Sequence, residues 1–468
     1  MFNDKIFREY DIRGTVGVDF DEELAFWLGV AYAQVAQEIF ANLPTITVAV
    51  GMDCRLSGPK LKARLIEGIV SQNVKVLEIG VGPTPMLYYV VHTQEVQGGI
   101  QITGSHNPAD QNGFKLMMSK SALSGLAIKD LMQRIKALIA NPSVSQQVGL
   151  VESRPEFVRH FDALTVYTTQ LIEIFKAKIG KNKIKVVCDA GNGVGGLVGP
   201  KLLRALGCEV IELFSEPDGN FPNHHPDPTV LENLVKLQKT VVAQKANLGI
   251  GWDGDADRIG VVDEQGKPIY GDMLLTIIGR QLVNEVRNPI IIGDVKCSDL
   301  MFKDLANKGA VTVMSKTGHS LIKKKMKELN AHLAGEMSGH IFFGFDYFGF
   351  DDAMYATAKL IEILTQNKKK ISELLSDLPK RISTPEIRFD CPDEIKFKVA
   401  EQAQHGFPEY TTDTTDGVRI TFSNGWGLVR ASNTQPILVF RFEADTEERL
   451  KEYQEIVVGR IKNIVSGF

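Results

Sequence analysis

Short apolar, β-branched runs alternate with longer amphipathic stretches over most of the chain. TITVAVGMD (45–53) predicts a buried strand. SGPKLKARLIEGIVSQN (57–73) predicts a helix with Ser57 at the N-cap and Pro59 in the first turn. VKVLEIG (74–80) predicts the next strand. The plan returns in IKVVCDAGNG, LVGPKLLRALG and CEVIELF, and again in PIIIGDVKCS, DLMFKDLANKG and AVTVMS. In each copy a buried strand ends in Asp and runs into a polar or Gly-rich turn. The pattern predicts three similar mixed α/β units with mainly parallel strands.

The periodicity changes near residue 379. DLPKRISTPEIRFDCPD is rich in proline and breaks the alternation. GVRITFSNGWGLVRAS and PILVFRFEAD then read as hairpin strands, and TEERLKEYQEIVVGRIKNIV as a closing helix. This predicts a separate C-terminal α+β domain. A chain of 468 residues is too long for one core. The breaks predict domains at 1–152, 153–266, 267–379 and 380–468.

Bulk composition narrows the function. Hydrophobic content is 44% and charged content 24%, ordinary for a globular protein. A net charge of −4 offers no broad basic field for nucleic acid. No stretch approaches the ~18 apolar residues that span a bilayer. The start, MFNDKIFREYDIRG, is charged throughout and lacks the apolar core of a secretory signal. The five cysteines form no C-x-x-C pair, which argues against a disulfide framework or a zinc site. A reducing cytoplasm is the expected location, with no membrane partner.

Four short constellations carry candidate chemistry. In IQITGSHNPADQNGFK (100–115) a strand-like run stops at Gly104, and Ser105 and His106 follow on a loop stiffened by Pro108. The serine is displayed there rather than packed, although these residues also make ordinary turns. GWDGDADRIGVVD alternates Asp253, Asp255 and Asp257 with small residues. Three carboxylates around one point call for a hard cation, Mg²⁺ or Ca²⁺, and flanking Arg258 suggests phosphate chemistry. An EF-hand would need Gly where Arg258 stands, and IGVVD reads as strand. In LAGEMSGHIFF, Glu336, Ser338 and His340 could present polar groups to a ligand, or form a hairpin turn. VRASNTQPILVF places Arg430, Ser432, Asn433 and Thr434 within five residues, a set suited to phosphate oxygens or to a plain exposed loop. DAGNGVGG also satisfies G-x-G-x-x-G, with Glu212 twenty-one residues after Gly191. A dinucleotide site would explain none of the four constellations, so this segment reads as tight turn chemistry before a helix.

Taken in order, TGSHNP, DGDADR, GEMSGH and RASNT resemble the α-D-phosphohexomutase family, most nearly its bacterial phosphomannomutase/phosphoglucomutase branch. The resemblance runs the whole chain and includes REYDIRG, GDVKCS and KTGHS. Ala256 stands where many members have Gly. The resemblance implies four domains around a central cleft, each donating one loop, and a phosphoryl group carried by Ser105. It implies that Ser105, Asp253, Asp255 and Asp257 hold Mg²⁺, and that His106, Lys115 and Arg258 supply charge. Lys115, with Arg13, would be the acid/base partner of the sugar hydroxyl or a purely electrostatic contact. The first role needs a lowered lysine pKa. Lys296, His319 and the loop Glu336, Met337, Ser338, Gly339 and His340 would meet the sugar. Arg430, Ala431, Ser432, Asn433 and Thr434 would grip the phosphate that is not reacting, and Tyr10 would close the cleft.

The activity implied is interconversion of hexose 1-phosphate and hexose 6-phosphate, of glucose or mannose, through a hexose 1,6-bisphosphate. The partners are hexose phosphates, and the enzyme is expected as a monomer or small homo-oligomer. Met337 stands where the glucosamine branch usually carries Gln. A Mg²⁺-dependent serine-phosphoenzyme phosphatase would share the serine and the aspartates but has no need of a distant phosphate clamp.

Overall fold

The computed structural model describes residues 2–141, 154–179, 183–432 and 436–468. The predicted boundary at 152 and the residues Asn433 and Thr434 lie outside the described set. Among the described residues, no helix is long and apolar enough to cross a membrane.

The first three sheets share one strand order. In the first, Lys75–Val81, Thr47–Met52 and Gly98–Ile102 run parallel, and Gln111–Met118 pairs antiparallel to the last of them. In the second, Glu209–Leu213, Lys185–Asp189 and Leu248–Trp252 are parallel and Ile259–Asp263 is antiparallel. In the third, Val311–Ser315, Ile290–Asp294 and Leu333–Gly335 are parallel and Ile341–Phe343 is antiparallel. The central strand of each is a β-branched run ending at or next to Asp53, Asp189 or Asp294. Buried on both faces between helices, these strands read as continuous apolar runs. The first sheet gains Ile12–Thr15 at one edge and Val158–His160 at the other.

The fourth sheet is antiparallel throughout, ordered Ile382–Ser383, Ile437–Ala444, Gly425–Ala431, Val418–Phe422 and Thr411–Asp413, with Ile387–Asp390 also pairing with Ile437–Ala444. Helices Asp393–Ala403 and Glu447–Val465 pack on it.

The first three units share a core, besides a second cluster within the first unit around Trp27, Val50 and Phe114. One hydrophobic cluster runs through Ala49 and Leu77, Val186 and Trp252, and Ile291 and Tyr355. Each buried Leu, Ile or Val in it contributes about 1.5–3 kcal/mol. The C-terminal domain has its own core around Val418, Phe440 and Val457, and meets the third unit through Val295, Trp426 and Leu428. The first three units are thus joined through a continuous apolar cluster, while the fourth meets the third through a smaller apolar patch.

One local expectation changes, and one gains a packing reason. The helix Gly58–Ser71 starts after Ser57, as predicted, but the Ser57 side chain does not cap it. Its hydroxyl instead accepts from Asn112 Nδ2 at 2.9 Å. DAGNGVGG forms a tight turn before a helix, as predicted, with Gly191 at φ 51°, and packing adds a demand: a Cβ at Gly193 would lie 2.7 Å from the Gly254 carbonyl oxygen in the aspartate loop.

Candidate active site

Three of the four constellations occupy one topological position. Residues 103–110 connect Gly98–Ile102 to Gln111–Met118, 253–258 connect Leu248–Trp252 to Ile259–Asp263, and 336–340 connect Leu333–Gly335 to Ile341–Phe343. Each loop leaves the C-terminal end of a parallel strand and turns back antiparallel. Such ends are where open α/β sheets place ligands.

Ser105 sits in the left-handed region, with φ 50°, and is buried. Its surroundings impose that conformation. Asp53, ending the neighbouring strand, accepts from Thr103 Oγ1 at 2.7 Å, and Thr103 Oγ1 in turn accepts from Ser105 N at 2.8 Å. Arg55 is fully buried and donates to the carbonyls of Ser105 (2.8 Å), Asn107 (2.6 Å) and Gln111 (2.7 Å). The Ser105 hydroxyl emerges from this scaffold 2.9 Å from Asp253 Oδ2 and 3.1 Å from His106 Nδ1. Burial, then Arg258 and Arg13, pushes the His106 pKa well below its ordinary value.

The three aspartates converge as expected. All are fully buried, and one oxygen of each lies within 4.8 Å of the others. Asp253 Oδ1 accepts from the backbone N–H of Asp257 and of Arg258, each at 3.1 Å, which shapes the loop. Asp255 Oδ2 accepts from Thr84 Oγ1 at 2.6 Å and from Lys115 Nζ at 2.7 Å. Asp257 Oδ2 also accepts from Lys115. Burial, then Asp255 and Asp257, drives the Asp253 pKa well above the carboxylate range. Asp255 Oδ1 and Asp257 Oδ1 are buried with no hydrogen-bond partner among the described residues. Crowded, partly unsatisfied carboxylate oxygens fit a hard divalent cation such as Mg²⁺.

Lys115 Nζ lies between Asp255 and Asp257. Burial alone would lower its pKa, but Asp255 and Asp257 raise it above the ordinary lysine value. Arg13 stands opposite Gly113 on the adjacent strand, hence on the face of Lys115. Its Nε lies 2.7 Å from Asp11 Oδ2.

The 336–340 loop is laced to its neighbours. Glu336 Oε1 accepts from Gly318 N at 2.5 Å and Oε2 from Ser338 Oγ at 3.1 Å. Met337 N donates to Asp294 Oδ1 at 3.3 Å, and Gly339 O accepts from Ile259 N at 3.1 Å. His340 Nε2 accepts from Arg258 Nε at 3.0 Å, so the proton of a neutral ring sits on Nδ1, 2.8 Å from Asp351 Oδ2. Lys323 Nζ pairs with the other oxygen of Asp351 at 2.9 Å. His319 stacks on His340 with ring centroids 5.7 Å apart. Burial, then Lys323 and Lys115, holds the His319 pKa well below normal.

A second group completes the cleft. Lys296 Nζ pairs with Glu386 Oε1 at 2.8 Å, and Arg430 Nε with Asp416 Oδ2 at 2.7 Å. Asp416 Oδ2 also accepts from Thr317 N at 3.1 Å, and Thr317 O accepts from Tyr10 Oη at 2.7 Å. That chain of contacts ties the C-terminal domain through the third unit to the first. Ala431 ends the strand Gly425–Ala431, and Ser432 N donates to Ile437 O at 3.0 Å.

The structure thus gathers Ser105, His106, Arg13, Lys115, the three aspartates, Arg258, His319 and His340 at one end, and Lys296, Arg430 and Ser432 at the other. Sequence reasoning missed Arg55, Thr84, Lys323, Asp351, Glu386 and Asp416. Arg55 follows the strand-end Asp53 by two residues and Asp351 precedes the helix-capping Asp352, the local signals that could have pointed to them.

Profiles of four phosphoglucomutase/phosphomannomutase domains match the chain in order: α/β/α domain I over residues 4–143, domain II over 165–266, domain III over 270–382 and the C-terminal domain over 386–460. A phosphomannomutase/phosphoglucomutase of Pseudomonas aeruginosa is 45% identical over 464 residues, covering 99% of this chain and 96% of the relative. A phosphoglucomutase of Neisseria gonorrhoeae is 41% identical over 456 residues, covering 96% and 95%. The crystal structure of a phosphoglucomutase/phosphomannomutase family protein from Burkholderia thailandensis superposes with a TM-score of 0.89 at 36% identity, covering 99% of this chain and 98% of that one. With four domain profiles in register and full-length relatives above 40% identity, the chain belongs to the phosphoglucomutase/phosphomannomutase family.

Proposed function

We propose that this phosphohexomutase moves its phosphoryl group through Ser105. In the resting enzyme the serine carries the phosphate. A hydroxyl of hexose 1-phosphate attacks that phosphorus in line. The phosphorus–Ser105 Oγ bond breaks as the new phosphorus–oxygen bond forms, and the hydroxyl proton ends, net, on Ser105. The resulting hexose 1,6-bisphosphate turns over in the cleft and returns its other phosphate to Ser105, leaving hexose 6-phosphate.

Phosphoryl transfer needs positioning and charge neutralisation more than covalent help. Arg55 and Asp53 fix the serine loop. Arg258, Lys115 and Arg13 offset charge on the transferring group. Asp253, Asp255 and Asp257, with the Ser105 oxygen, would hold Mg²⁺, which when bound polarises the phosphate as a Lewis acid. Lys115 enters as charge, since its ammonium is shared between two carboxylates. At the far end Arg430 and Ser432 with Asn433 and Thr434 hold the idle phosphate. Glu336 and Ser338 meet the ring hydroxyls, and Lys296 and His319 meet the ring or its phosphate.

The contact that carries this reading is Ser105 Oγ at 2.9 Å from Asp253 Oδ2. Ser105→Ala, folded by circular dichroism, should lose at least about a thousandfold in mutase rate. Wild-type turnover should depend on a trace of hexose 1,6-bisphosphate. Release of inorganic phosphate as the main product would favour a phosphatase instead.

A further inference from the structure

One face of the C-terminal sheet meets the loop that carries Lys296. Arg419 and Arg441 both pair across to Leu428, one from each side, so the three form a row over adjacent strands. Trp426 and Arg430 lie two residues either way along the middle strand, on that same face. Trp426 and Leu428 pack against Val295 of the third unit.

The arginines then take hold of backbone. Arg419 Nη1 donates to the carbonyls of Val295 and Cys297, each at 2.7 Å. Arg441 Nη1 donates to the carbonyl of Lys296 between them. Both guanidiniums are buried, and Arg419 stacks 3.7 Å from the Trp426 ring centroid. Glu443, next along the face, accepts from Ser298 Oγ at 2.8 Å. The Lys296 ammonium is itself met by Glu386 of the same domain. Burial holds the Arg419 pKa down to about 10. An apolar contact would join two domains without burying these charges. What guanidiniums add is a directional grip on three consecutive carbonyls.

We infer that Arg419 and Arg441 are positioning residues for hexose phosphate: by clamping the carbonyls of residues 295–297 they hold Lys296 where the substrate meets it. The inference rests on the reading of Lys296 as a substrate contact. It makes docking of the C-terminal domain a condition for a complete sugar site, not only for phosphate binding by Arg430.

A double-mutant cycle with glucose 1-phosphate tests it, using Arg441→Met, Lys296→Met and their combination. Unfolding midpoints and the phosphate content of Ser105 are measured alongside. Each single change should raise KM about tenfold with kcat lowered less than about threefold. The double variant should be within about twofold of Lys296→Met alone, and Arg441→Lys should recover most of the loss. Losses that multiply in the double variant, or Arg441→Met with unchanged KM, overturn the positioning role. Lys296→Met with unchanged KM overturns the underlying reading, and the inference with it. Should Arg441→Met fail to fold, Arg419→Met, which removes the grip on the Val295 and Cys297 carbonyls, carries the same cycle.

Discussion

Gly254 packs directly on the carbonyl oxygen of Ser105, so closely that a Cβ at Gly254 would overlap that oxygen. The aspartate loop of the second unit and the serine loop of the first are thus in backbone contact. The 2.9 Å spacing of Ser105 Oγ and Asp253 Oδ2 depends on it. Gly254→Ala should push the loops apart and lower kcat at least about tenfold, because small displacements of reacting groups are costly. KM for hexose 1-phosphate should change far less, since the proposed phosphate contacts of Arg430 and Ser432 are elsewhere. Steady-state kinetics on the purified variant check this.

The repeating core was legible because its strands are β-branched runs that end in Asp. Of the antiparallel strands beside them, IGVVD (259–263) was legible as a strand, but the one in the first unit was not. Gln111–Met118 has no alternation to detect, since seven of its eight residues are buried. The equivalence of the serine, aspartate and sugar loops rests on those strands and emerges only from the sheet order. Candidate residues inside one motif were readable: Asp253, Asp255 and Asp257 converge because the loop between two strands is short. Residues acting across sequence distance were not. Arg55 reads as a turn residue fifty positions before Ser105. It reaches the serine because Thr47–Met52 and Gly98–Ile102 are parallel neighbours whose ends coincide. Asp351 reaches His340 through a single antiparallel bridge with Phe342. Glu386 meets Lys296, and Asp416 meets Thr317 N beyond its own-domain partner Arg430, only once the C-terminal domain is docked.

Removing a proposed metal ligand should be read in metal dependence. Asp255→Asn leaves a group that can still accept from Thr84 but weakens the cation site. Half-maximal rate should need at least about tenfold more Mg²⁺ than wild type. Ca²⁺ should bind yet support little turnover, because it tolerates irregular coordination. Titration of activity with each ion after chelation checks both, and full activity in chelator would remove the metal from the account.

Asp352 makes stability depend on pH. It is buried and caps the helix Ala353–Asn367, and burial raises its pKa to about 6 against hydrogen bonds from Tyr355 N, Tyr167 and Tyr347. The folded state therefore binds this proton more tightly than the unfolded chain does. Its contribution to stability grows as pH falls from above 6 towards the unfolded value near ~3.9, by about 3 kcal/mol in all. Relative to Asp352→Asn, the wild type should gain stability on going from pH 7.5 to 4.5. Denaturant unfolding at the two pH values measures that difference, and a constant gap would contradict the assignment.

Sugar choice follows from the turnover of the bisphosphate. Under the proposed mechanism, end-for-end reversal roughly exchanges the C3 and C4 hydroxyls, so Glu336 and Ser338 would serve both poses and C2 would go largely unread. Glucose 1-phosphate and mannose 1-phosphate should have kcat/KM within about a factor of ten. Glu336→Ala should harm both alike, the more so because Glu336 also anchors Gly318 N. A wild-type preference above about a thousandfold, or a variant impaired on one sugar only, would mean that C2 is read.

The central claim is that Ser105 is the phosphoryl carrier. It is tested most directly by loading the enzyme with radiolabelled hexose 1,6-bisphosphate, mapping the labelled peptide and chasing with unlabelled hexose 1-phosphate. The account predicts about one phosphate per chain, on Ser105, leaving into hexose phosphates at a rate no slower than turnover. Label on another residue, or label on Ser105 that leaves more slowly than the enzyme turns over, would contradict it.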